Sequence, residues 1–173
     1  MLIKEIEAEF RDQLEERQIE FSIEGLSDLP LFLGDSDLLY KAFFHLVVNA
    51  IKYTPNGGKI TVSGCLLGHD RGKNVIRIVV ADTGVGIDKE HHELIFDKFY
   101  QTGEVMLHSS GVTKFKGGGP GLGLAIAKGS VVAHGGRIWV ESPGHDEENY
   151  PGSRFIVEVP LAEWVEGKRL RRS

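Results

Sequence analysis

The stretch Gly117-Gly118-Gly119-Pro120-Gly121-Leu122-Gly123-Leu124-Ala125-Ile126-Ala127 sets five glycines within seven residues and then turns apolar. Such a run adds little to a packed core. It frees the backbone for positive φ and for close approach to another group. Apolar residues from Leu122 to Ala133 recur at helical spacing, so the loop empties into a helix N-terminus. Free amides at the positive end of a helix dipole suit a phosphate group. Glycine-rich linkers and tight turns have a similar composition, so this segment is weighed with the others.

A second candidate is Ala81-Asp82-Thr83-Gly84-Val85-Gly86-Ile87, directly after a strand-like run. Gly-x-Gly in that place suggests close backbone approach to a ligand. A carboxylate aimed at phosphates would repel them, so Asp82 is read as accepting a hydrogen bond from an amine, such as adenine N6. Neither Gly-x-Gly-x-x-Gly nor Gly-x-x-x-x-Gly-Lys-Ser/Thr occurs, which separates the chain from dinucleotide-binding and Walker-type loops.

The third candidate is a helix from Asp35 to about Tyr53. Leu38, Leu39, Ala42, Phe43, Phe44, Leu46, Val47, Val48, Ala50 and Ile51 lie almost all round it, as on a buried helix. Lys41, His45, Asn49 and Lys52, spaced by four, four and three, form one polar stripe. The stripe is either the solvent face of an ordinary helix or the face of a negatively charged ligand. A simple core offers no partners for two cations, an imidazole and an amide.

The elements that must hold these residues alternate as α/β. Leu2 to Gln18 reads as a helix, Ile19 to Glu24 as a short strand, and Pro30 to Leu33 as an edge strand, since proline lacks a ladder donor. Asp35 caps the long helix, which Pro55 and Asn56-Gly57-Gly58 end. Lys59 to Leu67 and Asn74 to Ala81 are β-rich and joined by a hairpin segment, Gly68 to Lys73. A short helical piece follows Asp88, and an irregular stretch runs from about Tyr100 to Lys116. A helix from Gly121 to about His134 stops at Gly135-Gly136. Arg137 to Glu141 and Arg154 to Val159 are the closing strands.

With 173 residues, 41% hydrophobic and 26% charged, the chain fits one domain with a real core. A net charge of −5 speaks against nucleic-acid binding as the main function. No apolar run approaches a membrane span and no signal peptide is seen, so no membrane contact and a cytoplasmic location are expected. The single cysteine, Cys65, is expected to be a small buried hydrophobe in a reducing compartment. Seven histidines without Cys or Glu-x-x-His spacing give no zinc site.

Taken in order, the motifs carry a family resemblance. Asn49-Ala50-Ile51-Lys52-Tyr53-Thr54-Pro55 resembles the N box of sensor histidine kinases, and Asp82-Thr83-Gly84-Val85-Gly86-Ile87 their G1 box. Phe96-Asp97-Lys98-Phe99-Tyr100 is similar to the F box, Gly117 to Ala127 to the G2 box, and Gly152-Ser153-Arg154-Phe155 to a G3-like motif. The family is the catalytic and ATP-binding domain of these kinases, within the Bergerat-type superfamily that also holds gyrase, Hsp90 and MutL ATPases. The resemblance implies an α/β two-layer sandwich, a mixed sheet covered on one face by helices, with ATP under a mobile lid. Its expected extent is residues 19–160, after a helical lead-in of 1–18 that ends an acceptor-domain helix, and before a C-terminal tail of 161–173.

Position by position, the resemblance implies that Asn49 holds Mg²⁺, Lys52 neutralises phosphate charge and Tyr53 packs against the nucleotide. Asp82 reads the adenine amine, with Gly84 and Gly86 making room for the base, and Ile87 and Ser153 count among the nucleotide contacts. Gly119, Gly121 and Gly123, with Leu122 and Leu124, form the phosphate-facing lid hinge. Phe96 and Phe99 anchor the lid to the core, and Phe99 also counts among the nucleotide contacts. His45 stands where these kinases commonly have asparagine and ATPase relatives a glutamate base. It is expected to place phosphates or a water and not to act as a hydrolytic base. Pro120 and Gln101 also depart from the pattern, and Lys114 and Lys116 are further candidates for the γ-phosphate. His92-Glu93-Leu94 imitates the start of an acceptor motif but runs into the F-box segment. The acceptor histidine is therefore expected on a separate dimerisation and phospho-acceptor domain, in a homodimeric parent that serves a response regulator. An ATPase module and a nucleotide-sensing module without catalysis are the competing functions.

Overall fold

Alternation of buried apolar residues builds one face of a sheet: Ile60 and Val62, Ile76 and Val80, Phe155, Val157 and Val159, and Val140. The computed structural model describes residues 2–70, 73–100 and 121–161, to which the account below refers. Its strands are β1 (Glu20–Glu24), β2 (Lys59–Asp70), β3 (Lys73–Asp82), β4 (Arg137–Glu141) and β5 (Ser153–Pro160). They form one mixed sheet in the order β1-β2-β3-β5-β4, with β1 parallel to β2 and the other pairs antiparallel. A parallel pair needs a long crossover. The helix α3 (Ser36–Tyr53) supplies it between β1 and β2.

Helices α1 (Leu2–Glu9), α3 and α4 (Gly123–Ala133) bury Ile6, Leu46, Val47, Ala50, Ile51, Ala127 and Val131 in the same core as that sheet face. The expected two-layer sandwich is therefore present. Asp35 caps α3 as expected, its Oδ1 accepting from the amides of Asp37 and Leu38 at 3.0 and 3.1 Å. No helix among the described residues is long and apolar enough to cross a membrane.

The opposite sheet face carries Glu158, which is buried at 4% exposure. Arg77 Nε donates to its Oε1 at 2.9 Å and Arg137 Nε to its Oε2 at 2.5 Å. Burial pushes the carboxyl up, but the two guanidiniums outweigh it and hold the group below its ordinary range.

Several sequence expectations are corrected. Leu2 to Gln18 is two helices, α1 and α2 (Arg11–Glu16), broken at Phe10, where the ring reaches Phe44 at 5.3 Å. Ile3, Ile6, Phe10 and Leu14 then join the common core. Pro30 to Leu33 forms no strand: it runs over the surface with Leu31 99% exposed, while Phe32 lies 5.9 Å from the His134 ring. Cys65 is exposed, because its strand parity points it away from the helices. The helix expected from Gly121 starts at Gly123. The hairpin strands extend further than expected, to Asp70 and from Lys73.

Candidate nucleotide-binding site

α3 is the spine of the site. His45, Asn49 and Lys52 are half-buried along it and Lys41 is exposed. Two other elements meet α3 at different heights. At His45, a Cβ on Gly123 would come within 3.1 Å of the imidazole Nδ1, so the start of α4 presses on the ring. At its C-terminal end, the Tyr53 carbonyl accepts the Val85 amide at 3.2 Å. His45 and Tyr53 are eight residues apart, which separates the two contacts by about 12 Å along the axis. Asn49 and Lys52 lie between them.

The loop after β3 is fixed by close backbone approach. A Cβ on Gly84 would overlap the Tyr53 carbonyl oxygen, and one on Gly86, at φ +75°, would overlap the Gly144 carbonyl oxygen. The space beside each glycine is thus filled by protein backbone. Ser142 braces the same loop: its hydroxyl accepts the Ile87 amide at 2.9 Å and donates to the Gly152 carbonyl at 2.7 Å. Asp146 adds its amide to the Val85 carbonyl at 2.7 Å. No sequence motif pointed to Ser142, which sits just past β4.

Asp82 ends β3 with its side chain in the core, at 8% exposure. Its Oδ1 accepts the Gly84 amide at 2.9 Å, and its register partner across the sheet is Ser153. Burial raises its pKa from 3.8 to about 7, against the pull of backbone hydrogen bonds from Gly84 and Ser153. Burial also lowers the His45 pKa, leaving a neutral ring near pH 7.

The amide of Asn49 makes no hydrogen bond among the described residues, and Lys52 Nζ lies 4.9 Å from the centroid of the Tyr53 ring. No side chain caps the first turn of α4. Gly121 has φ +68° and its carbonyl accepts the Phe99 amide at 3.0 Å. Phe96 is buried against Phe155. Phe99 is not: at φ +67° and 71% exposure its ring points out of the core, so its expected anchoring role is corrected. Gly119, Pro120, Gln101, Lys114, Lys116 and most of the expected lid lie outside the described residues. A cleft of about 500 Å³ borders the Asp82 loop, and its lining includes Asp82 and Ser153 of the expected base site and the bracing Ser142, beside Glu141, Pro151 and Arg154.

Residues 34–163 match the family model described as histidine kinase-, DNA gyrase B-, and HSP90-like ATPase. The chain is 37% identical over 132 residues to the sensor histidine kinase WalK of Bacillus subtilis, covering 76% of this chain and 20% of WalK. It is 34% identical over 161 residues to the adaptive-response sensory kinase SasA of Microcystis aeruginosa, covering 92% of this chain and 37% of SasA. It therefore spans well under half the length of either relative. The catalytic domain of histidine kinase ThkA superposes with a TM-score of 0.67 at 28% identity, covering 92% of this chain and 91% of that one. ThkA is also solved in complex with the response regulator TrrA, where the TM-score is 0.66 at 28% identity and coverage is 93% of this chain and 40% of ThkA. The chain belongs to the histidine kinase-, DNA gyrase B- and HSP90-like ATPase family, an ATP-binding family, and within it resembles the histidine kinase catalytic domain.

Proposed function

We propose that this chain binds Mg·ATP along α3 and donates the γ-phosphoryl group to a histidine on a separate dimerisation and phospho-acceptor domain. The observation that carries the reading is the order along α3: Asn49 and Lys52 stand between the start of α4 and the Asp82 loop, with an imidazole and not a carboxylate at position 45. These residues fit the ligand. Asp82, buried with one oxygen already on Gly84, offers an acceptor to an exocyclic amine. The amide oxygen of Asn49 is a hard donor suited to Mg²⁺, which takes few protein ligands beside phosphate oxygens and water. When bound, the ion neutralises charge on the transferring group. Lys52 adds a cation, Tyr53 a ring against the nucleotide, and the uncapped α4 start its amides for phosphate. Ile87 and Ser153 border the base; Gly119, Gly121, Leu122, Gly123 and Leu124 frame the phosphates, and Phe99 lies beside that frame.

In transfer, the bond from the γ-phosphorus to the ADP oxygen breaks, ADP keeps the electron pair, and a phosphorus–nitrogen bond forms on the acceptor imidazole. The chain contributes position and charge, with no covalent intermediate of its own. A response regulator then takes the phosphoryl group, the parent protein is a homodimer, and this domain works in the cytoplasm. The names of WalK and SasA and the ThkA–TrrA complex support these partners. Hydrolysis without transfer is the second reading, favoured by the neutral His45 ring, which is able to take a proton from water.

The test mixes the chain with a dimerisation and phospho-acceptor domain and radiolabelled ATP. Label stable to alkali and lost in acid is expected on the acceptor domain, and none on this chain alone. Release of free phosphate without labelled acceptor would hand the case to the hydrolytic reading.

A further inference from the structure

The last carbonyls of a helix have no partners within it, and at the C-terminal end of α3 those of Ala50, Ile51 and Tyr53, with that of Thr54 next to them, are all taken. Ala50 O takes the Thr54 amide at 3.0 Å and the Thr54 hydroxyl at 2.7 Å. Tyr53 O takes Val85 of the Asp82 loop. Ile51 O and Thr54 O are both taken by Arg17, through Nη1 and Nη2, at 2.5 Å each. Arg17 Nε donates to Asn56 Oδ1 at 2.9 Å, and its own carbonyl accepts the Gly57 amide at 3.0 Å. The side chain is buried at 8% exposure, which lowers its pKa, yet a guanidinium remains charged.

We propose that Arg17 is a positioning residue for nucleotide, which makes residues 2–18 a working part of the site and not an approach to it. The proposal rests on the nucleotide reading above. Ile51 and Thr54 bracket Lys52 and Tyr53 in sequence, so the Arg17 fork fixes the turn that carries both. Tyr53 passes that position on, since its carbonyl seats Val85 and its backbone walls in Gly84, two residues from Asp82. A cation at a helix C-terminus is favourable by itself, and a lysine could supply that. A planar fork reaching two carbonyls and an amide oxygen is what lysine lacks.

The other half of α3 is held from the same segment. Phe10 packs on Phe44, Glu9 accepts from the Tyr40 hydroxyl, and Phe44 meets the His45 ring at 5.6 Å, edge to face. The lead-in thus grips α3 beside both ends of the polar stripe, at Tyr40 next to Lys41 and at Ile51 next to Lys52, and at Phe44 next to His45.

The experiment measures Mg·ADP affinity by calorimetry, together with the melting temperature, for the full chain, Arg17→Met and Arg17→Lys, well below any melting transition. Arg17→Met is expected to bind about tenfold more weakly, one charge-assisted bond's worth of position. Arg17→Lys should regain most of the melting temperature but little of the affinity, a split that a purely structural arginine would not produce. Unchanged affinity beside a lowered melting temperature overturns the proposal. So does full recovery of affinity by lysine. Should both variants fail to fold, Asn56→Ala removes only the Nε partner at an exposed position. It is then expected to weaken Mg·ADP about threefold, and unchanged binding overturns the proposal equally. Absence of binding by the parent chain would instead sink the nucleotide reading itself.

Discussion

Asp82→Asn should make this protein more stable and worse at binding adenine. In the folded chain the Asp82 carboxyl titrates at about 7, against 3.8 for the free side chain. The unfolded chain gives up that proton near pH 4 and the folded chain only near pH 7, so between the two the folded state holds more protons. Unfolding free energy therefore falls as pH rises through this window. Three pKa units at 1.36 kcal/mol each set the full cost above pH 7 at about 4 kcal/mol. An asparagine keeps an oxygen for the Gly84 amide and carries no charge to desolvate. Recovery of about half the cost, roughly 2 kcal/mol, raises the melting temperature by about 4–8 °C in a chain of this size. Calorimetric melts without nucleotide, at pH 8 and pH 5, read the effect directly. The gain should be full at pH 8 and mostly gone at pH 5, where the folded aspartate is already protonated and about two of the three pKa units of cost are removed. The same variant should lose about ten- to hundredfold in ATP affinity, since a charge-assisted bond worth about 1.5–3 kcal/mol becomes a neutral one. An equal difference in melting temperature at both pH values would refute the desolvation argument.

Gly84→Ala places a methyl group on the Tyr53 carbonyl oxygen and should abolish ATP binding measured by calorimetry, because helix end and loop can no longer close. Glu158→Gln should destabilise the fold by about 1–3 kcal/mol at pH 7 in urea melts, by removing the shared charge between Arg77 and Arg137. Because the folded Glu158 pKa is depressed, that loss should shrink as pH falls below the ordinary glutamate value of 4.5. His45→Asn should keep transfer to a supplied acceptor domain within about tenfold, whereas Asn49→Ala should nearly abolish it, as expected when one residue holds the metal and the other only borders the phosphates. Loss of a substantial ATPase activity in His45→Asn would mark the imidazole as a base.

The core helix and the paired strands were legible because their signals are local. The stripe from Lys41 to Lys52 follows helical spacing, and β3 and β5 are runs rich in Val, Ile and Phe. The failures are those of non-local information. Pro30 to Leu33 has strand-like composition but pairs with neither edge of the sheet, β1 or β4. Cys65 looked buried because its run is apolar; strand parity alone decides its face, and parity is visible only once the register is set. Gly84 and Gly86 were read as space for a base, while the nearest atoms they admit belong to Tyr53 and Gly144. Ser142 and Arg17 were not singled out at all. Each acts on backbone atoms ten to about fifty residues away in sequence, and backbone acceptors leave no motif.

The two ends of the site are built on different physical terms. At the end proposed for adenine, Asp82 is held by backbone amides, its loop is tied to Tyr53, Ser142 and Asp146, and its glycines close on neighbouring chain. Such a site has little to reorganise when a base arrives, so its contribution is selectivity, set by an acceptor that cannot turn away. Along the stripe, Asn49 makes no hydrogen bond among the described residues and Lys52 Nζ lies over the Tyr53 ring. Those side chains keep rotamer freedom to spend on phosphate and metal, where charge matters more than angle. The raised Asp82 pKa joins the two. An amine donor favours the carboxylate, so binding should expel a proton below about pH 7, and base recognition should weaken as pH falls through that value. Adenosine, which has no phosphate to titrate, isolates the effect. Its heat of binding should depend on the ionisation enthalpy of the buffer at pH 6.5 and lose that dependence at pH 8.5. A buffer-independent heat at both values would mean that Asp82 meets the base already charged.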